Sequence, residues 1–518
     1  MSRNIIHIIL VLPLFLASCV STSVLPTPTI TVTSVPSPTL SPAPTALSAS
    51  TPVPSLSFDH APVLRPDFVT DLNSFPDATR YEIELTIDLD AAIVVGHAHI
   101  DYTNTEDVPL GILYLRLLPN TPGYGGMMMA TNITLDGSPV EPVVELDDSA
   151  LRLPINPSLE PGAHISLNLD FDLALPTEID QGYGQLGYYD EVLALANGYP
   201  LVPVYDDEGW NVEMASTYGD AVYSETAFYT VRITAPADTT LIASGVCDTL
   251  TSAADDLVTW DCFTGPMRDF NAILGADYRV VSRVVDGVTV NSFFTSGHRE
   301  GGERVLDWAA EAVRIFDARF GPYPFTELDV VETPTRAGGI EYPGLVVINR
   351  RYYETLSERM EWVVVHETGH QWWYSLVGND QVDEPWLDEA LVQYSTLLYY
   401  EEYYGPGVAA DLLKQIFQLP YEGLMDSGGD MPVGLPVAAY SSENYGTVVY
   451  QKGPLYFHAL RQEVGDERFW AILQTYFDRN RYAVAAPEDW LAAVEAAAGD
   501  EYRDLYERWI VGVSEERK

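Results

Sequence analysis

One stretch, Glu361 to Glu401, constrains everything around it: EWVVVHETGHQWWYSLVGNDQVDEPWLDEALVQYSTLLYYE. His366-Glu367-Thr368-Gly369-His370 forms an H-E-x-x-H, and the eighteen residues 371–388 separate it from Glu389. On a helix, positions i and i+4 share one face, so both imidazoles reach one metal ion. Glu367 stands one residue on from His366, close enough to address a water on that metal. Glu389, on a second helix past an acidic loop, supplies a third ligand. Three protein ligands and one open position are the pattern of a catalytic zinc site, whereas a structural site is closed by four. The bare motif is short enough to arise by chance as solvated side chains. Here Val363, Val364 and Val365 precede it and Trp372 and Trp373 follow it, so the helix is expected to be buried. Two histidines and a glutamate on a buried helix are costly unless paired or coordinated.

The chain has 518 residues, enough for two or three domains with their own cores. Its charge is unusual: 75 acidic residues against 27 basic, net −48, with Lys414, Lys452 and Lys518 as the only lysines. Such a surface repels nucleic acid and anionic lipid, which excludes both as expected partners. It suits solubility outside the cell. Steering of cationic peptides is a second use that composition alone does not establish.

The N-terminus gives an expected address. Arg3 precedes an apolar run, Ile5 to Leu16, followed by Leu16-Ala17-Ser18-Cys19. The run is too short for a stable span and suits a signal peptide. Small residues followed by cysteine resemble a bacterial lipoprotein signal. That resemblance implies cleavage after residue 18, lipid on the Cys19 thiol, and an exported protein anchored to the outer face of a bacterial membrane. The alternative is an ordinary cleaved signal with an incidental cysteine. Residues 19–57 then form a tether: from 21 to 57 they are mostly Thr, Pro and Ser without charge, a composition that stays extended and semi-rigid.

From Tyr81 the pattern becomes alternation. Tyr81, Ile83, Leu85, Ile87 and Leu89 point one way, and Glu82, Glu84, Thr86 and Asp88 the other. Similar runs follow at Ala98-Ile100-Tyr102, Leu113-Leu115-Leu117, Ile165-Leu167-Leu169 and Tyr229-Val231-Ile233. Residues 58–280 therefore read as an antiparallel β domain. His97 and His99, with Asp101 beside them, lie on the face opposite the apolar one and are expected to face solvent rather than hold a metal. Cys247 and Cys262 sit at the two ends of a hairpin-like segment in an exported chain. A cross-strand disulfide is the expectation, with two buried free thiols as the alternative. Helical periodicity begins near Glu303 and ends at Gly321-Pro322. Strands follow at Leu328–Val331 and Leu345–Ile348, then helices at about 356–376, 385–404, 408–418, 446–463, 467–479, 487–498 and 501–510.

With these motifs in hand, the chain resembles the aminopeptidase N family of gluzincin zinc peptidases, the group that includes leukotriene hydrolase. H-E-x-x-H, eighteen residues and a Glu within W-L-x-E carry the resemblance. YEIELTIDLD, GHAHIDYTN and LYLRLLPN resemble the start of the family's β domain, and FGPYPFTELDVVETP its lead-in to the catalytic domain. Gly338-Gly339-Ile340-Glu341-Tyr342 resembles its G-x-M-E-N strand, and Tyr450-Gln451-Lys452-Gly453 its Y-x-K-G motif. The resemblance implies a multidomain α and β chain: the N-terminal antiparallel β-sheet domain, then a thermolysin-like α+β, mainly helical catalytic domain over 281–518. It implies one Zn2+ held by His366, His370 and Glu389, and peptide substrates. Glu367 would be the general base and Tyr450 the oxyanion stabiliser. Glu341, with Gly338 and Gly339, would bind the substrate, Glu341 taking its free α-amine.

The departures are specific. The family's asparagine after the substrate-binding glutamate is Tyr342 here, and its methionine is Ile340. Seven residues past the third ligand the family usually has a glutamate that supports a ligand histidine; here it is Thr396, so support is expected from elsewhere, with Asp388 as the candidate. Gln185 and Glu191 are candidates for a second amine-binding residue. The family's large helical C-terminal domain is expected to be absent, leaving the cleft open. The expected activity is release of N-terminal residues from peptides. Two other functions stay open at this point: an endopeptidase using the open cleft, and a non-catalytic peptide-binding scaffold. Oligomeric state is not legible.

Overall fold

The computed structural model describes residues 59–512 except 181, 215–217, 220–221 and 251–255. The signal-like segment, Cys19 and the Pro/Thr/Ser-rich tether lie outside the described residues. Among the described residues, no helix is long and apolar enough to cross a membrane.

The alternating run becomes the strand Arg80–Asp88, with Tyr81, Ile83, Leu85 and Ile87 buried. Leu89 falls just past its end and is half-buried. This strand lies inside an eight-stranded sheet whose order is Val246–Leu250, Leu257–Phe263, Phe228–Pro236, Arg80–Asp88, Ile93–Thr103, His164–Ala174, Met127–Leu135, Ser138–Pro139. A three-stranded sheet (Leu110–Arg116, Ala150–Leu159, Val143–Glu145) and a four-stranded one (Thr240–Ala243, Asn271–Gly275, Val192–Ala196, Leu186–Tyr189) share its apolar core. Burial of these alternate faces is what the period-2 pattern encodes.

One pairing departs from the antiparallel expectation. Arg80–Asp88 runs parallel to Phe228–Pro236, Tyr81 opposite Tyr229 and Leu85 opposite Ile233. The two tyrosine rings stack there with centroids 4.7 Å apart. The neighbouring hairpin is antiparallel, with Cys247 directly opposite Cys262 and a disulfide joining them. His97 and His99 take the solvent side, where His97 pairs with Asp170 and His99 with Asn168.

A second sheet of five strands begins at Tyr278. Its order is Tyr278–Val285, Val288–Thr295, Glu327–Thr333, Leu345–Asn349 and, at the edge, Gly339–Tyr342. The helix Arg299–Arg319 packs on this sheet. It starts a turn earlier than periodicity predicts, because glycines read as helix breakers. Here a Cβ on Gly302 would fall 2.0 Å from the Phe294 ring, so close approach to the sheet, not propensity, decides.

The helices that follow are shorter and more broken than their apolar patterns suggest. The motif helix is Met360–Gly369 rather than 356–376. Past it the chain coils tightly, with Ser375 N–H bonded to His370 O and Tyr374 at φ 120°. The next helix, Leu391–Tyr404, is entered through a π-helical turn, Trp386–Ala390. Another π-helical turn, Val448–Lys452, leads into Gly453–Val464. Together they realise the expected class, a β-sheet region followed by a mainly helical one. A second apolar core, centred on Trp372, Trp373, Trp386 and Trp490, fills the helical region.

Candidate metal centre and active site

His366 and His370 come off the last turn of Met360–Gly369, one turn apart as the i, i+4 spacing requires. Their Nε2 atoms stand 3.2 Å from each other. Glu389 Oε2 lies 3.2 Å from His366 Nε2 and 3.5 Å from His370 Nε2. All three residues are buried. Three lone-pair atoms at these spacings repel one another unless a cation lies among them. A triangle of mean side about 3.3 Å has its centre about 1.9 Å from each corner, and Zn–N and Zn–O bonds are about 2.0–2.2 Å. Among the described residues, no group donates a hydrogen bond to Glu389 Oε2. The set of two imidazoles and a carboxylate therefore fits a zinc ion by size, charge and ligand type.

Zinc ligation needs each imidazole's second nitrogen to be fixed. For His370, Nδ1 donates to Trp373 O at 3.1 Å, which leaves Nε2 as the free lone pair. For His366, Nδ1 is buried and has no hydrogen-bond partner among the described residues. The missing glutamate at position 396 is thus not replaced: Thr396 spends its hydroxyl on Val392 O in its own helix. Asp388 does not support an imidazole either, contrary to the expectation. Its carboxylate accepts from Gln381 Nε2 at 2.8 Å and from the Glu389 backbone N–H. It braces the turn that carries Glu389. Burial pushes its carboxyl up to about 7.

Two of the four π-helical turns among the described residues fall at site residues. Trp386–Ala390 holds Glu389 and Val448–Lys452 holds Tyr450. Such turns widen the helix by one residue and re-aim side chains. The Tyr450 hydroxyl donates to Glu389 Oε1 at 2.5 Å. Lys452, two residues on, is buried and bonded to Asp430 and Met431 O, anchoring the turn.

Glu341 lies on the edge strand Gly339–Tyr342 and is buried. Its carboxylate, that of Glu367 and the His370 imidazole form a cluster with ligand atoms within 4.8 Å of one another. Burial raises the Glu341 carboxyl above its usual range. Burial, with Glu341 next in effect, raises Glu367 further. Burial works against Glu389 as well, but the imidazoles against it outweigh that and hold it well below the ordinary value. Gly339 explains how Glu367 fits: a Cβ there would stand 2.4 Å from Glu367 Cγ. Gly338 has nothing closer than 3.5 Å and lies in ordinary contact. Gln371 ties the edge strand to the motif helix, donating to Tyr342 O and accepting from Gly344 N–H.

The structure separates the two candidates from the β region. Tyr183 O accepts bonds from Arg336 N–H and the Thr335 hydroxyl, and Gln185 Oε1 accepts from Tyr183 N–H, so the Gln185 loop is tied to the segment entering the edge strand. Glu191 sits in an exposed hairpin turn with φ 64°. Sequence reasoning missed Asp269 and Gln381. Asp269 is fully buried and accepts from Tyr374 and Asn271; burial pushes it up to about 6, with Glu341 adding to the shift. No local spacing signals either residue.

This arrangement of motif helix, edge strand and second helix coincides with a family model. Residues 304–509 match the description "Peptidase family M1 domain". Over that span the chain is similar to peptidase family M1. Aminopeptidase M1-C of Oryza sativa subsp. japonica is 25% identical over 466 residues, covering 85% of this chain and 50% of its own length. Aminopeptidase M1 of Arabidopsis thaliana is 28% identical over 247 residues, 45% of this chain and 28% of its own. The chain thus spans about half or less of the curated relatives it matches. An M1 zinc metallopeptidase from Deinococcus radiodurans has the same fold, with a TM-score of 0.65 at 22% identity, over 84% of this chain and 94% of that one. A mutant of that enzyme bound to a Tyr-Ser-Ala substrate superposes with a TM-score of 0.64 at 21% identity, over 85% and 94%. The M1 match covers all three metal-site residues, Glu341, Glu367 and Tyr450.

Proposed function

We propose that this chain is a zinc-dependent aminopeptidase of the M1 type that releases N-terminal residues from peptides. The observation that carries the reading is the buried carboxylate of Glu341, set within 4.8 Å of Glu367 and His370. A buried carboxylate facing another carboxylate needs a positive charge beside it. The free α-ammonium of a peptide supplies one, and an internal peptide segment does not. That favours exopeptidase over endopeptidase action. The complete set of His366, Glu367, His370, Glu389 and Tyr450 at one site counts against a decayed scaffold.

Zinc, held by His366, His370 and Glu389, would supply a Lewis acid that makes water a usable nucleophile near neutral pH. The rest belongs to the chain. Glu341 pairs with the substrate ammonium and so fixes which peptide bond reaches the site. Glu367 accepts the proton of the attacking water and passes it to the leaving amine, a role worth about 10²–10⁴-fold. Tyr450 offers an O–H to the oxygen that gains negative charge, and loss of such a donor costs on the order of 10²–10³. The burial of the site limits competing water.

The lipoprotein reading of Cys19 and of residues 19–57 extends this proposal to an exported enzyme tethered to a bacterial membrane. The paired Cys247 and Cys262 support an oxidising compartment. Comparison of a free peptide with its N-acetylated form tests the activity. The expected result is loss of cleavage on acetylation; equal rates would overturn amine recognition by Glu341. Glu367→Gln is expected to keep zinc, by metal analysis, and to lose hydrolysis.

A further inference from the structure

One buried side chain spans the gap between the metal ligands and the strand that carries Glu341. Gln371 follows His370 directly and is fully buried. Its Nε2 donates to Tyr342 O at 3.1 Å, and its Oε1 accepts from Gly344 N–H at 2.9 Å. Tyr342 follows Glu341 directly, and the turn at Pro343 and Gly344 leads the edge strand Gly339–Tyr342 into Leu345–Asn349. A single amide thus runs from the neighbour of a metal ligand to the neighbour of the carboxylate read as the ammonium site. It fits in one orientation: its oxygen meets a donor and its nitrogen an acceptor, and reversal opposes like groups at both ends.

Both ends of this link are held. At the hairpin, Gly344 O accepts from Asp329 N–H, and Tyr342 is paired with Leu345. At the motif segment, Gln371 N–H donates to Thr368 O, and the buried Trp372 beside it donates its indole N–H to Gly321 O at 2.7 Å. The buried Tyr323 hydroxyl adds a 3.3 Å bond to Gln371 Oε1. Sheet pairing does not set this seat. The ladder to Leu345–Asn349 places the edge strand within its own sheet, and Asn349 ties Ala337 O and Gly338 O to that same neighbour. Neither set of bonds reaches the helix that carries His366 and His370. Buried backbone groups that lose their partners are costly, so the two bonds of Gln371 favour one position of the hairpin on the motif segment.

We propose that Gln371 is a positioning residue that fixes the distance between Glu341 and the metal centre, and so the register at which a free N-terminus is read. This rests on the aminopeptidase reading and adds to it a stringency for α-amino over β-amino termini. In an α-amino acyl group, the ammonium nitrogen and the scissile carbonyl carbon are about 2.5 Å apart. A β-amino acyl group lengthens that link by one C–C bond of about 1.5 Å. Telling the two apart requires carboxylate and metal to be held to within less than one bond length. Misplacement by about 1 Å costs on the order of 10²-fold.

The test uses the full-length zinc-loaded protein with the p-nitroanilides of L-alanine and β-alanine. Wild type is expected to favour the α-amino substrate by about 10²-fold or more in kcat/KM. Gln371→Met keeps the length of the side chain and loses both bonds to the hairpin. In this variant the ratio of α to β is expected to fall by about 10-fold or more, with zinc per chain unchanged by metal analysis. A smaller folded fraction lowers both substrates by one factor and leaves the ratio unchanged, and that result overturns the proposal. So does a wild-type ratio near one, or a variant that releases its zinc. If Gln371→Met does not fold, Gln371→Glu keeps the acceptor for Gly344 N–H and loses the donor to Tyr342 O. It must still lower the ratio several-fold; an unchanged ratio overturns the proposal. If wild type holds zinc and cleaves neither anilide, the aminopeptidase reading fails. Calorimetric binding of L-alaninamide against β-alaninamide then decides on Gln371 separately. A preference for the α form that the variant lowers supports it, and an equal preference in both proteins overturns it.

Discussion

Replacing Gly339 with alanine is a one-carbon change aimed at Glu367. The Cβ would stand 2.4 Å from Glu367 Cγ and 2.6 Å from Cδ and Oε1. Ordinary contact begins near 3.4 Å, so the carboxylate must retreat by about 1 Å. A displacement of that size at a reacting group costs about 10²-fold, and full loss of the base reaches about 10⁴. Gly339 has no left-handed φ, so the backbone accepts alanine and the effect is confined to the contact. The cost to folding is that of modest overpacking, about 1–3 kcal/mol. Gly338→Ala is the matched control, because its nearest neighbours would lie 3.5 Å or more away. The assay is steady-state hydrolysis of an amino-acid amide with zinc content measured on the same samples. Gly339→Ala is expected to keep its zinc and lose kcat by 10²-fold or more, and Gly338→Ala to stay within a few-fold of wild type. Equal activity in both variants would refute the assignment of Glu367 as a base held in place by the edge strand.

Three further outcomes are expected. Gly378→Ala would place a Cβ 2.0 Å from the Arg268 guanidinium carbon and break bonds from a fully buried charge to Tyr374, Ser224 and Ala483; chemical denaturation is expected to show a loss of about 3–5 kcal/mol. Reducing the Cys247–Cys262 bond, which closes a loop of sequence separation 15, is expected to lower stability by about 3 kcal/mol in urea titrations with and without reductant. Asp269 is raised by burial from 3.8 to about 6, so the folded state holds its proton longer than the unfolded chain. Stability from this group is therefore full below pH 4 and falls as pH rises to about 6; in Asp269→Asn, the denaturation midpoint is expected to fall less across that window than in wild type.

The parts of the molecule that sequence makes legible are those with short-range geometry. The i, i+4 spacing of His366 and His370 brought their Nε2 atoms to 3.2 Å, and the alternation at Tyr81 to Ile87 gave a buried face. What stayed hidden depends on distant partners. Alternation carries no direction, so nothing in Tyr81 to Ile87 announces that its strand runs parallel to Phe228–Pro236. The π-helical turns at Glu389 and Tyr450 need an extra residue accommodated by packing, which no local pattern marks. Asp388 was drawn toward the imidazoles by its nearness in sequence to Glu389, but its side chain meets Gln381 instead. Arg116 falls between Leu115 and Leu117, where alternation assigns a solvent-facing side chain, yet the bridge to Leu201 covers it.

The parallel pair also sets the order in which this protein can assemble. Tyr81 must wait for Tyr229, 148 positions further along the chain. A chain emerging N-terminus first can close the hairpin of Arg80–Asp88 with Ile93–Thr103 at once. The other edge of that first strand stays bare until most of the β region has followed. Pairings of such long sequence separation are slow to form and leave strand edges open to misassembly in the meantime. Glu82 and Glu84 alternate with the buried residues of that strand, and charges so placed discourage wrong pairing at an open edge, a use unconnected with any substrate.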